Sequence, residues 1–236
     1  MKQSKRLKVR DQGINFSDSY ELKQAVSLIK ERALAKFDET IDVVFNCNLD
    51  PRKAEQNIRG IIDLPEGTGK TVRVAVFAEG ATAKAAQEAG ADIVGGDALI
   101  ERVQGGHIEF DCCIATPDMM LKLSKLGRIL GPRGLMPNPK LGTVTQDVAS
   151  AIKANKGGRI TVRPDKAGII HAIIGKSSFT AEALVKNFEA LYAELLKLRP
   201  PALKGGFLKR IFMSSTMGFS LKVSFSGEKG LVFSKE

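Results

Sequence analysis

Cysteine is scarce in these 236 residues, histidine scarcer, and no apolar run approaches the length of a membrane span. Each shortage removes a class of function. The three cysteines, Cys47, Cys112 and Cys113, are too few for a disulfide framework. Cys112 and Cys113 are neighbours in a strand-like run, where successive side chains point to opposite faces, so they cannot pinch one metal ion. All three read as small core hydrophobes in a reducing compartment, and no metal site or cofactor is expected. The only histidines, His107 and His171, fall in segments of different character, and no serine sits in a nucleophile elbow. No enzyme is expected from such thin material. A membrane span needs about 20 apolar residues, and the N-terminus lacks the apolar segment of a signal peptide.

What is abundant is positive charge. Thirty-six Lys and Arg against 26 Asp and Glu give a net charge of +10 and a pI near 9.6, which points to a polyanionic partner. The excess is uneven: residues 159–236 hold 13 basic and 6 acidic side chains, and so carry +7 of the +10. Such an imbalance favours nucleic acid. The first residues, with Lys2, Lys5, Arg6, Lys8 and Arg10, read as a short RNA-touching arm. At this length two domains are expected, each able to bury its own core.

Along the chain, Leu22, Val26, Ile29 and Ala33 recur at helical spacing over Tyr20 to Lys36, with Ser19 placed to cap. The period then changes to two: Ile41, Val43, Phe45, Cys47 and Leu49 predict a half-buried strand. Asp50-Pro51-Arg52-Lys53 is a turn, and Ile58 to Leu64 reads as a strand returning to form a hairpin. From Thr71 the grammar differs. Val72 to Ala78 is almost continuously apolar, an alanine-rich helix runs to Gly90, and Ala91 to Gly95 and Asp111 to Ala115 repeat the strand-then-helix order. That order predicts a small parallel sheet with helices on its faces. After Gly157-Gly158 the alternating style returns in Arg159 to Val162 and Gly168 to Gly175, followed by a helix over Thr180 to Leu198 and two strands, Phe207 to Met213 and Phe219 to Phe225. Both ends of the chain are therefore expected to form one domain, into which the middle is inserted, with glycines at both crossings as a hinge.

Three stretches are candidates for function. Gly67-Thr68-Gly69-Lys70-Thr71 imitates a phosphate-binding loop, but residue 64, where the first glycine belongs, is Leu64, and a strand follows where a helix is needed. A nucleotide hydrolase is accordingly a poor reading of it. From Lys122 to Thr145 there is no acid, while Lys122, Lys125, Arg128, Arg133 and Lys140 alternate with glycine and proline through Gly127 to Gly142. Stiff and electropositive, this loop suits a contact surface. At Ala35-Lys36-Phe37-Asp38-Glu39-Thr40 a cation, an aromatic and a hydroxyl meet at an element boundary. Phe37 is there either a stacking platform for a base or a staple on its own domain. Asp38 and Glu39 read as a solvated pair.

The basic loop, together with the stretch from Ala35 to Thr40, Asp50-Pro51-Arg52, Gly90-Ala91-Asp92, Asp165-Lys166-Ala167-Gly168 and Ser215-Thr216-Met217-Gly218, resembles the bacterial ribosomal protein L-one family, the stalk proteins of the large subunit. The resemblance runs from Tyr20 to Val223. It implies an α/β protein of two domains: a discontinuous α+β domain of split β-α-β type, residues 1–66 and 159–236, that binds RNA, and an inserted three-layer, Rossmann-like α/β domain, residues 67–158, that binds no nucleotide. It also implies a cytoplasmic monomer within the ribosome. Its partners are then large-subunit ribosomal RNA, exit-site transfer RNA and, as a translational repressor, its own messenger RNA. A nonspecific basic RNA-binding protein is the alternative. Carried over by position, RNA contacts fall on Lys36, Phe37, Thr40, Ser215, Thr216, Met217 and Gly218, brought together at a shared sheet edge. Arg52, Lys53 and Lys166 join them on charge and position, and Arg128, Arg133 and Lys140 supply a second contact from the insert. Phe219 stands where the family usually has proline.

Overall fold

The computed structural model describes residues 11–224 except 12, 57, 202 and 204. The basic arm before Asp11 and the tail from Phe225 onward lie outside the described residues. The chain runs through β1 (Ser19–Glu21), α1 (Leu22–Glu31), β2 (Thr40–Cys47) and β3 (Gly60–Asp63). It continues through β4 (Val74–Phe77), α2 (Ala81–Glu88), β5 (Ile93–Gly95), α3 (Asp97–Gln104) and β6 (Cys112–Ala115). Two single-turn helices follow, α4 (Met120–Leu123) and α5 (Gly127–Leu130), and then α6 (Val148–Lys156) and β7 (Arg159–Val162). Last come β8 (Ile169–Lys176), α7 (Ala181–Lys197), β9 (Leu208–Ser215) and β10 (Ser220–Ser224). By contacts the chain falls into two units, one built from the chain up to Gly69 and again from Ile160, the other from Lys70–Arg159.

The first unit is a five-stranded sheet in the order β1-β10-β9-β2-β8, antiparallel except where β1 runs parallel to β10. Alternation in β2 puts Ile41, Val43, Phe45 and Cys47 on one face, where they meet Leu22, Val26 and Ile29 of α1 and Leu184, Phe188, Leu191 and Leu195 of α7. Thr180 caps α7 by accepting the Ala183 N–H at 3.2 Å. The core is finished by Phe219, buried edge-on to Phe16 with ring centres 6.0 Å apart. β3 pairs with β7 in a separate two-stranded sheet.

In the second unit β5, β4 and β6 form a parallel sheet. β4 is buried on both faces, and β6 but for its first residue, which is why these two read as unbroken apolar runs. Ala75, Phe77 and Cys113 pack against Leu99, Val103, Leu123 and Leu130 on one side; Val74, Val76 and Ile114 pack against Ala86, Val148 and Ile152 on the other. The adjacent thiols therefore do point to opposite faces, and burial pushes Cys112 up to about 11.

Three expectations need correction. The first helix is shorter than Tyr20 to Lys36: Ser19 does not cap it, because Ser19–Glu21 is drawn into β1 by pairing with Lys222–Ser224. It stops at Glu31, where the Ala33 N–H turns to the Lys30 carbonyl in place of that of Ile29; beyond this end the Ala35 N–H donates to the Glu39 side chain. No hairpin forms between β2 and β3, since β8 and β9 occupy both edges of β2. At the first crossing between the units, Gly67 and Gly69 fall in the first. The Gly67 carbonyl accepts from buried Asn187 at 2.9 Å, and Gly69, at φ 71°, is so close to Lys176 and Phe179 that a Cβ would meet them at 2.8 and 2.9 Å.

Candidate nucleic-acid interface

Register creates the site. Ile41 pairs with Ser215 and Asp42 with Ser214, so the segment that enters β2 and the turn that leaves β9 emerge at the same end of the sheet. Both strands are interior, so the meeting point is an end of the sheet and not the edge expected from sequence. There Thr40 and Thr216 bond through backbone and hydroxyl, and the Met217 N–H donates to Glu39 Oε2 at 3.0 Å. Glu39 is only 1% exposed, so the expected solvated pair of carboxylates is divided. Its other oxygen, Oε1, accepts the Ala35 N–H at 3.0 Å, and burial of the charge is offset by these two amide donors.

Around this fixed base the exposed groups are those that suit RNA. Phe37 is 54% exposed and Met217 55%, with Lys36 and Thr216 open to solvent beside them. Phe37 is thus no buried staple. Ser215 is buried, and its hydroxyl lies so near Gly218 that a Cβ there would come within 2.2 Å of it. The Gly218 N–H closes the turn on the Ser215 carbonyl at 3.0 Å, with Phe219 accommodated in the core where proline was expected. Lys176 donates to Thr40 Oγ1 at 2.7 Å and adds a cation that sequence reasoning did not select. Asp38 accepts from the hydroxyls of Ser178 and Ser177, each at 2.8 Å, and those bonds hold its carboxyl below the ordinary value. They tie the end of β8 to the loop that carries Phe37.

Arg52, Lys53 and Lys166 do not join this surface. They are exposed, but the Asp50–Lys53 turn follows β2 and Lys166 precedes β8, which puts them at the opposite end of strands roughly 24 Å long. There Asp50 receives the Arg52 N–H at 3.2 Å, and Asp165 receives those of Ala167 and Ile169, each at 2.8 Å. These bonds, that of Ile169 foremost, hold Asp165 below the ordinary carboxylate range. Pro51, Arg163 and Lys166 share one shallow depression. This is a second cationic patch.

In the other unit Arg128, Arg133 and Lys140 are exposed. The expected loop is partly ordered into α5, anchored by buried Leu126 and Leu130, and Lys140 stands on a turn capped by Asn138, which accepts its N–H at 2.9 Å. Lys122 is neutralised by Glu79 and Asp97, at 3.0 and 2.8 Å. Gly67 to Thr71 leads into β4 and offers phosphate no helix N-terminus, and Lys70 is bound to Asp111 at 2.9 Å. His171 is exposed on β8, 3.7 Å from Asp165. Among the described residues no group of His, Cys, Asp and Glu could hold a metal, and no helix is long and apolar enough to cross a membrane.

The residues missed by sequence reasoning, Glu39, Lys176, Ser177 and Ser178, are those that hold the loops. The only local signal was that the two acids at 38 and 39 follow an aromatic at the head of a strand. A family model described as the ribosomal protein L1p/L10e family matches residues 29–219, more than half of the chain, and takes in both segments that meet at the end of β2 and β9.

Proposed function

Because the chain belongs to the ribosomal protein L1p/L10e family, and so is a ribosomal RNA-binding protein of a structural family and not of an enzyme family, we propose that it holds the RNA of the large-subunit stalk. In this reading Lys36, Phe37, Thr40 and Ser215 to Gly218 form the principal contact. The observation that carries it is the junction of Thr40 with Thr216, which joins the two segments into one surface with an exposed aromatic, a thioether and cations. Phe37 stacks on an unpaired base, and the hydroxyls and N–H groups of the late turn read phosphate and 2′-OH groups of an irregular fold. The stalk position brings the protein beside exit-site transfer RNA. A similar hairpin in its own message gives it the means to repress its own translation.

The cations at Arg52, Lys53 and Lys166 follow the RNA backbone at the far end of β2, and Arg128, Arg133 and Lys140 add a weaker contact from the inserted domain. Titration with a stalk-region ribosomal RNA fragment and a shuffled hairpin of equal length, at two salt concentrations, tests the reading. A preference for the stalk fragment that survives the higher salt supports a shape-specific site. Equal binding that falls steeply with salt leaves only a basic protein attracted to phosphate.

A further inference from the structure

A carboxylate beside an RNA-binding surface repels the ligand, so the presence of Glu39 under this one calls for a reason. Glu39 lies in the stretch that carries Lys36, Phe37 and Thr40, at 1% exposure, and makes no approach to solvent. Instead Oε1 holds the Ala35 N–H and Oε2 the Met217 N–H, both at 3.0 Å, while its main-chain carbonyl accepts the Ser177 N–H at 2.8 Å. One residue therefore grips the loop before β2, the turn after β9 and the end of β8. A cap for the Ala35 turn alone needs a single acceptor, such as Ser or Asn supplies. Met217 is 178 residues away, and holding both amides at once needs two acceptors diverging from one rigid group. A carboxylate has that shape.

We propose that Glu39 is a positioning residue for RNA recognition, one that fixes the separation of Phe37 and Met217 before RNA arrives. The inference rests on the RNA-binding reading above and adds a mechanism to it: the site is preorganised, so that association does not bear the cost of ordering two loops. Phe37 is only two residues before Glu39, and Met217 is the residue whose amide Glu39 holds, so the two most exposed apolar contacts are set by one side chain.

The test uses the full-length chain with the stalk fragment and the shuffled hairpin. In the free protein the Ala35 and Met217 amide protons are expected to exchange at least about tenfold more slowly than in an unstructured peptide. Exchange at the peptide rate overturns the proposal without recourse to any variant, and so decides the matter even if substitutions at position 39 fail to fold. Glu39→Gln turns one acceptor into an NH2 group that faces an amide donor. Loss of a hydrogen bond to a charged group predicts about tenfold weaker binding to the stalk fragment, or more, with the weak binding to the shuffled hairpin unchanged. The penalty for Phe37→Ala is also expected to shrink in the Glu39→Gln background, which a purely structural role would not cause. A folded Glu39→Gln protein with undiminished affinity for the stalk fragment overturns the proposal. Equal binding of both RNAs by the unsubstituted protein, with slow amide exchange, overturns the RNA-binding reading itself, and the proposal with it, independently of what Glu39 holds.

Discussion

Thr40 and Thr216 are joined three times: the Thr40 N–H donates to Thr216 Oγ1 at 2.9 Å, and the Thr216 N–H and hydroxyl donate to the Thr40 carbonyl at 3.0 and 3.2 Å. A backbone pair alone would continue the ladder between β2 and β9. The added hydroxyl bonds tie the first residue of β2 to the residue just after β9, where strands ordinarily fray. The side chains proposed to meet RNA, at positions 37 and 217, are thereby mounted close to fixed backbone.

Thr216→Val keeps the shape of the side chain and deletes the hydroxyl. Because residue 216 is exposed, water can replace the lost partner of the Thr40 N–H, and the fold is expected to lose only about 1 kcal/mol, at the low end for a removed hydrogen bond. Affinity for the stalk fragment should fall by more than the change in stability accounts for. Equal binding by the valine variant, measured alongside its denaturant midpoint, would show that the hydroxyl serves the fold alone.

Phe37→Ala separates the two roles open to an aromatic at this position. A ring more than half exposed contributes little burial, so thermal stability should change by less than about 0.5 kcal/mol. A stacked base should cost about 1 to 3 kcal/mol in RNA binding, or roughly 5- to 150-fold in Kd. Loss of stability with intact binding would reverse that assignment.

Local periodicity made part of this molecule legible. The alternation from Ile41 to Cys47 and the spacing of Leu184, Phe188, Leu191 and Leu195 fixed which faces are buried, because each pattern has one physical solution. Partners far apart in sequence were not legible. Ser19–Glu21 became a strand through a segment about 200 residues away, and Glu39 holds the Met217 N–H across 178 residues. For the site, the two loops were identifiable as motifs, but a period does not say which strands are neighbours. Hence the expected sheet edge proved to be a sheet end, and Arg52 and Lys166 proved to lie at the other one. Charge reads as solvation by default, which hid Glu39.

Asp38 supplies a pH test. Its folded pKa is depressed by the hydroxyls of Ser178 and Ser177, so the stabilisation it contributes is present above its unfolded value, about 3.9, and is lost as pH falls through the lower folded value. Asp38→Asn should therefore be less stable than the parent above about pH 5, and the gap should close as the pH is lowered below that unfolded value. Chemical denaturation across this range is the measurement. A gap that stays constant down to pH 2 would mean that the amide loses something other than charge.

The inserted segment offers the sharpest division of labour. Among the described residues, the buried cluster around α1, α7 and the five-stranded sheet is drawn from the first unit. β3 and β7 lie side by side, and the ends left by excision can be bridged by a short glycine-rich linker. Where the cut falls matters. Asn187 is fully buried and accepts the Glu66 N–H at 3.0 Å while donating to Gly67 and Ile174, at 2.9 and 2.8 Å. Cutting at Leu64 takes away two of these partners, and an unsatisfied buried amide costs about 1 to 3 kcal/mol. Joining Gly69 to Ile160 should therefore give the more stable of two deletion proteins by about that amount, and it should retain most of the affinity for the stalk fragment. A well-folded Gly69–Ile160 fusion that no longer binds would move the principal contact to the insert, with Arg128, Arg133 and Lys140 as the residues to substitute next.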